Sequence, residues 1–321
     1  MTDAPESSQR EGPLILLLGP TASGKSAIAM ALAERFEIEI ISVDSGQIYR
    51  RLDLGSAKPA AEERARVPHH LIDIIDPWDS YSAARFAADA RRTIGEIRAR
   101  ARLPLLVGGT MLYARALTDG LHELPAADPA LRAQLLARAS RDGWPAMHAW
   151  LATLDPVTAA RLARNDAQRI ERALEVCLIS GRPMSALLAQ PAARAWHGPV
   201  LRISLEPDDR SLLHARIAER FTAMIAAGLI DEVRALRADP RLHAHLPAMR
   251  SVGYRQVWQW LDDGGRETRD ILIARGVAAT RQLAKRQLTW LRAIDDRARI
   301  AMESASGTDR IAELIARQLD P

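Results

Sequence analysis

The sequence predicts an α/β fold: a parallel sheet flanked by helices and interrupted by an all-helical insertion. Three observations carry this expectation. An apolar run, Leu14-Ile15-Leu16-Leu17-Leu18, leads directly into the octet Gly19-Pro20-Thr21-Ala22-Ser23-Gly24-Lys25-Ser26, and helix-forming residues follow. Runs of buried-strand composition recur at residues 37–43, 69–75, 103–107 and 199–205, several of them separated by helical periodicity. Between residues 116 and 199 no such run occurs.

The octet fits G-x-x-x-x-G-K-S/T, the phosphate loop, and makes the expected sheet P-loop NTPase-like. A buried strand delivers the chain into a glycine-bearing turn whose N–H groups face inward, and the helix beginning near Gly24 adds the positive end of its dipole. Linked phosphates are the natural guest. Lys25 is expected between the terminal phosphates and the Ser26 hydroxyl on a bridging Mg²⁺. The helix should run to about Phe36, before a strand over residues 37–43 that ends at Asp44. Strand carboxyl ends face the ligand crevice in such sheets, so Asp44 belongs beside the loop, either on a water of the Mg²⁺ shell or as a base on an incoming nucleophile. Residues 54–59 read as a loop and 69–75 as a third strand, whose adjacent His69 and His70 point to opposite faces and make a poor metal pair. Ser82 should cap a helix through Phe86, Ala90, Ile94 and Ile97. The fourth strand, residues 103–107, ends in Gly108-Gly109-Thr110, where an ATPase or GTPase usually carries the acid that helps to hold Mg²⁺. A hydroxyl and close backbone approach suit a diphosphate or a leaving oxygen better than a metal-bound water.

These readings divide the chain into a first core segment (residues 1–115), the helical insertion (116–199) and a second core segment (200–321). Asp128-Pro129 and Asp155-Pro156 mark helix starts within the insertion. Arg169 and Arg172 lie there on neighbouring helix turns, a pattern that by itself describes a solvated basic face. In the last segment, Arg216 and Arg220 share a helix face. Residues 250–256 set two arginines around a glycine and a tyrosine, as an RNA loop needs. A helix over residues 271–290 leads to Arg292, and Arg281, Lys285 and Arg292 form a basic stripe beside Leu283, Ala284, Leu288 and Leu291. A strand at 298–302 and a helix at 309–319 should close the fold, with Trp258, Trp260 and Trp290 in the core.

The 321 residues suffice for one large α/β core and a second unit, and a net charge of +4 permits an anionic partner. The single cysteine, Cys177, sits in an apolar run, so a disulfide framework is excluded and a buried thiol is expected. No apolar run reaches membrane length, and residues 1–11 are polar without the apolar centre of a signal peptide; the expectation is a cytoplasmic protein with no membrane partner.

Taken together, seven stretches resemble the tRNA dimethylallyltransferase family, the bacterial tRNA isopentenyltransferases: the octet at 19–26, Val-Asp-Ser-Gly-Gln-Ile-Tyr-Arg at 43–50, Gly-Ser-Ala-Lys-Pro at 55–59, Val-Gly-Gly-Thr-Met-Leu-Tyr at 107–113, Asn-Asp-Ala-Gln-Arg-Ile-Glu-Arg-Ala-Leu-Glu-Val at 165–176, Arg-Ser-Val-Gly-Tyr-Arg at 250–255 and Lys-Arg-Gln-Leu-Thr-Trp-Leu-Arg at 285–292. They span almost the whole chain in the family's order; Ser26 stands where many members carry Thr, and both keep the hydroxyl. The resemblance implies transfer of a dimethylallyl group from dimethylallyl diphosphate to N6 of the adenosine 3′ of the anticodon, position 37, in tRNAs reading codons that begin with U. It implies that the phosphate loop and a Ser26-bound Mg²⁺ hold the diphosphate, that Arg220 adds charge to it, that Thr110 lies near the reacting amine and the leaving oxygen, and that Asp44 is the general base. It also assigns tRNA contacts to Asp44-Ser45-Gly46-Gln47, Arg132, Gln168-Arg169-Ile170-Glu171-Arg172, Arg250-Ser251-Val252-Gly253-Tyr254-Arg255 and Lys285-Arg286-Gln287-Leu288-Thr289-Trp290-Leu291-Arg292. The expected protein is a monomer with tRNA and dimethylallyl diphosphate as partners. Two other readings use the same loop: a small-molecule or nucleoside kinase acting on ATP, and a non-catalytic RNA-binding module with the loop as a switch.

Overall fold

A computed structural model describes residues 12–190, 192 and 195–319. The polar segment 1–11 lies outside them. The described chain divides into two compact units, the first formed by residues up to Thr118 together with those from Trp196 onward, the second by Asp119–Ala195.

The first unit is built on a six-stranded sheet in the order β3-β2-β4-β1-β5-β6, with every pair parallel. Its strands are β1 (Leu14–Leu18), β2 (Ile38–Val43), β3 (His69–His70), β4 (Leu103–Gly108), β5 (Val200–Glu206) and β6 (Arg297–Ala301). All five residues of β1 are buried, as befits a central strand covered on both faces. The chain leaves β1 towards β2 and β3 on one side and later returns to β5 and β6 on the other, so the point where strand order reverses lies at the carboxyl end of β1. A parallel sheet binds its ligand at that place.

Helices α1 (Lys25–Leu32), α2 (Ala61–Arg66), α3 (Ala83–Ala99) and α4 (Met111–Thr118) belong to the first segment of this unit. α1 stops at Leu32, short of the expected Phe36, and α2 was not legible as a helix. Ser82 caps α3, its hydroxyl accepting from the Arg85 N–H at 3.1 Å, and α3 buries the expected apolar stripe. The third strand is much shorter than its composition suggested. Leu71 (φ 59°) and Asp73 (φ 55°) adopt left-handed backbone that breaks the pleat, and Asp73 is tied instead to the buried Lys58 ammonium at 2.5 Å. The two histidines are structural. His69 Nδ1 bonds the Val67 carbonyl at 2.7 Å, and His70 Nε2 joins Arg100 on the buried Glu39 carboxylate, which these partners hold below the usual carboxylate range.

The second unit contains α5 (Pro129–Asp142), α6 (Trp144–Leu154), α7 (Pro156–Arg161), α8 (Ala167–Ser180) and α9 (Met184–Leu188). Asp128 caps α5 and Asp155 caps α7, each followed by proline at the first helical position. Leu135, Met147, Leu151, Ile170, Leu174 and Cys177 form its core, where burial pushes the Cys177 thiol up.

Back in the first unit come α10 (Arg210–Ala226), α11 (Leu229–Arg237), a 3₁₀ turn at Ala248–Arg250, α12 (Tyr254–Asp262), α13 (Arg269–Arg292) and α14 (Gly307–Leu319). α10 packs on α13. Trp258 and Trp260 are buried. Trp290, expected in the core, is 40% exposed, with the Arg115 guanidinium over its ring at 5.9 Å. No described helix is long and apolar enough to cross a membrane.

Candidate active site

At the carboxyl end of β1 the octet opens into a cavity of about 560 Å³, which Asp44, Gln47, Gly108, Gly109, Arg216, Arg220 and Gln287 also line. Gly24 stands at φ 95°, a left-handed turn that glycine takes without strain, and α1 begins at the next residue. The loop therefore offers the backbone donors of a helix N-terminus to the cavity.

Lys25 is sequestered within this loop. Its ammonium donates to the Pro20 carbonyl at 2.6 Å and to the Ser23 hydroxyl at 3.3 Å. Burial, and then the nearby Arg220, lower its pKa to about 7, partly offset by Asp44. Burial also lowers Arg220, again opposed by Asp44. Lys25, Arg216 and Arg220 thus share the cavity with the carboxylates of Asp44 and Glu219, an excess of cations that favours an incoming anion. An anion restores the charged form of Lys25, so binding should draw a proton from solvent at pH values above 7. A non-reactive diphosphate monoester, added at about pH 8.5, is expected to take up close to one proton per chain by calorimetry in buffers of different ionisation enthalpy. Affinity should weaken as pH rises past 7, and the uptake should vanish in Lys25→Ala. An uptake of zero in the unsubstituted chain would mean that Lys25 is already charged.

Asp44 leaves the end of β2 in a side-chain turn. Its Oδ1 accepts from the Gly46 N–H at 2.8 Å and the Gln47 N–H at 3.4 Å, which fixes the carboxylate and leaves Oδ2 for another donor. The Gln47 side chain is anchored at both ends, accepting from Ser42 Oγ at 2.8 Å and donating to the Ala57 carbonyl at 3.1 Å. Thr110 Oγ1 accepts from the Ser45 N–H at 3.0 Å. The Asp44 turn and the end of β4 are thereby joined. Gly108 cannot carry a side chain, because a Cβ there would collide with the Val43 backbone.

The Ser26 hydroxyl and the Asp44 carboxylate both line the cavity, and among the described residues no three His, Cys, Asp or Glu side chains gather as a metal cage. This donor set fits Mg²⁺, which keeps several waters and takes phosphate oxygens rather than a full set of protein ligands. The sequence sets Arg216 on one helix face with Arg220 but gives it no role at the cradle, and it places Gln287 only among the tRNA contacts.

Burial sorts those expected contacts. Gln168 and Arg169 in the second unit, and Ser45, Arg250, Arg255, Lys285, Arg286, Thr289, Trp290 and Arg292 in the first, are exposed, while Ser251 and Val252 are half-buried. Ile170, Leu288 and Leu291 are core side chains. Tyr254, expected as a stacking ring, is 0% exposed and donates to Glu232 Oε1 at 2.5 Å; it cannot reach a base. Gly253 is buried beside it. Arg132 and Arg172 converge on the buried Glu175 carboxylate, Arg132 through a two-pronged pair at 2.8 and 2.9 Å and Arg172 at 2.5 Å. Both guanidiniums brace the second unit, and Glu171 beside them is half-buried.

Fold and site together define an anion-binding phosphate-loop α/β protein in which a carboxylate faces the cradle and the neighbouring strand ends in Gly-Gly-Thr. A model described as IPP transferase matches residues 47–294, and one described as isopentenyl transferase matches residues 12–72. The tRNA dimethylallyltransferase of Burkholderia vietnamiensis is 60% identical over 316 residues, covering 97% of this chain and 96% of its own; that of Bordetella petrii is also 60% identical, covering 95% and 98%. Among solved structures, the tRNA isopentenylpyrophosphate transferase of Bacillus halodurans superposes with a TM-score of 0.69 at 36% identity, covering 97% of both chains. A eukaryotic dimethylallyltransferase acting on tRNA, 24% identical, shares the fold with a TM-score of 0.76 over 95% of this chain and 78% of its own. The chain belongs to the tRNA dimethylallyltransferase family. These relatives do not favour the kinase reading.

Proposed function

We propose that this protein transfers the dimethylallyl group of dimethylallyl diphosphate to N6 of adenosine 37 in tRNAs reading codons that begin with U, releasing diphosphate, and that it works as a cytoplasmic monomer. The observation that carries this reading is the placement of the Asp44 carboxylate in the same cavity as Lys25, Arg216 and Arg220, with its charge felt by both Lys25 and Arg220. Lys25 and Arg220, with Arg216 on the same wall, hold the diphosphate and take up its charge as the allylic carbon–oxygen bond breaks. Ser26 would hold Mg²⁺, which would supply further neutralisation of the diphosphate charge. Asp44 Oδ2 accepts the N6–H hydrogen bond and receives the proton as the new carbon–nitrogen bond forms. Thr110, tied to Ser45, lies beside the amine and the leaving oxygen. The adenosine must leave its stack to enter the cavity.

Exposed cations supply the tRNA surface of each unit. Replacing Lys285 and Arg292 by Ala is expected to weaken tRNA binding and to flatten log Kd against log salt by roughly two units, one per lost phosphate contact. Filter binding across a salt series checks this, and an unchanged slope would leave the stripe merely solvated. The function itself is tested by incubating the protein with total tRNA, Mg²⁺ and labelled dimethylallyl diphosphate, then digesting the RNA to nucleosides. Label on N6 of adenosine is expected. ATP consumption without labelled nucleoside would instead establish the kinase.

A further inference from the structure

Gln287 sits in the stretch that the family resemblance assigns to tRNA, yet its side chain turns towards the cavity. Its Oε1 accepts from the Thr21 backbone N–H at 2.9 Å, a contact 266 residues apart in sequence, and its Nε2 donates to the Gly109 carbonyl at 3.0 Å. One amide therefore joins the leading half of the phosphate loop to the turn that carries Thr110. The adjacent Lys285 and Arg286 are exposed, whereas Gln287 is half-buried on the cavity wall. The fit is close, since a Cβ added at Gly109 would collide with Gln287 Nε2.

The loop needs such support. Ala22 is held at φ 63°, a left-handed conformation that is unfavourable for a residue with a Cβ and persists only where the surroundings impose it. A diphosphate site is effective when its donors are fixed before the anion arrives. With the Thr21 N–H tied to Gln287 and the Ser23 N–H to the Pro20 carbonyl at 3.3 Å, the N–H groups at the start of α1 are left to face the anion. Only a side chain of this length that donates and accepts at once can close both contacts; Glu would lose the donor and bring a negative charge to the cradle.

We propose that Gln287 is a positioning residue of the diphosphate site, holding the phosphate loop and the Gly109-Thr110 turn in fixed relation, and that it makes no contact with tRNA. The proposal deepens the transferase reading and rests on it. The test uses the full chain as Gln287→Ala, Gly109→Ala and the double variant. It measures inorganic diphosphate Kd by calorimetry, tRNA Kd by filter binding, single-turnover transfer with both substrates saturating, and the melting temperature. Gln287→Ala should raise the diphosphate Kd about tenfold through two lost neutral hydrogen bonds and slow transfer about 10²-fold through misplacement of the reacting groups. Its tRNA Kd should stay at the unsubstituted value, which a general structural defect would not allow, and its melting temperature should fall by only about a few degrees for the two lost hydrogen bonds. Gly109→Ala displaces the same amide, so it should reproduce the losses and add little in the double variant. Weakened tRNA binding with an unchanged diphosphate Kd would overturn the proposal, as would fully additive losses. If the unsubstituted chain transferred no dimethylallyl group, the transferase reading would fail, while the diphosphate titrations would still decide whether Gln287 acts on the loop.

Discussion

Asp44→Asn is expected to slow single-turnover transfer by about 10²–10⁴-fold, the usual worth of a positioned general base, with little change in affinity for either substrate. The exocyclic amine of adenine shares its lone pair with the ring and is a weak nucleophile until a base draws on its N–H. Asn retains the Oδ1 that accepts from Gly46 and Gln47, so the turn stays in place. It presents an amide where the carboxylate would take the proton. Pre-steady-state rates and both dissociation constants across a Mg²⁺ titration check the assignment. A diphosphate affinity that falls and a rate that recovers at high Mg²⁺ would place Asp44 in the water shell of the metal.

Lys25→Ala is expected to lower transfer by about 10²–10³-fold, as does removal of one preorganised charge from a developing anion, while tRNA binding remains intact. The lysine lies in the loop and shares the cavity with Arg220, whereas the exposed cations of α13 face solvent. The loss should appear in the rate at saturating diphosphate as well as in diphosphate affinity, of which Arg216 and Arg220 retain a part. A matching fall in tRNA affinity would show that the two substrates share Lys25, and that this separation of roles is wrong.

The parts of the fold legible in the sequence were those written in local chemistry. β1 and the phosphate loop announce themselves by composition and glycine spacing, Ser82, Asp128 and Asp155 by their position just before a helix, and Asp44 by lying at a strand end. Features imposed by distant partners were not legible. Tyr254 reads as a ring between two arginines, but Glu232 draws its hydroxyl inward. The strand after His69 stops because Lys58 captures Asp73. Arg172 and Glu175 stand three residues apart, a spacing that indicates an ion pair, yet Arg132 and the complete burial of the carboxylate come from another helix. Gln287 meets Thr21 across nearly the whole chain, a pairing that no periodicity encodes.

The neighbours of β1 bear on how this chain is made. Leu16 pairs with Leu106 on one side and Arg202 on the other, so the centre of the sheet unites residues synthesised first with residues that emerge only after the second unit. The helices of that unit close through contacts near in sequence and can fold as they leave the ribosome. β1 meanwhile waits with one hydrogen-bonding edge unfilled for the time needed to elongate through residues 119–199, on the order of ten seconds. An open apolar edge is a template for wrong pairing. Chains released before Val200 are therefore expected to enter aggregates, and arrival of β5 is the event that commits the nascent protein to its native sheet.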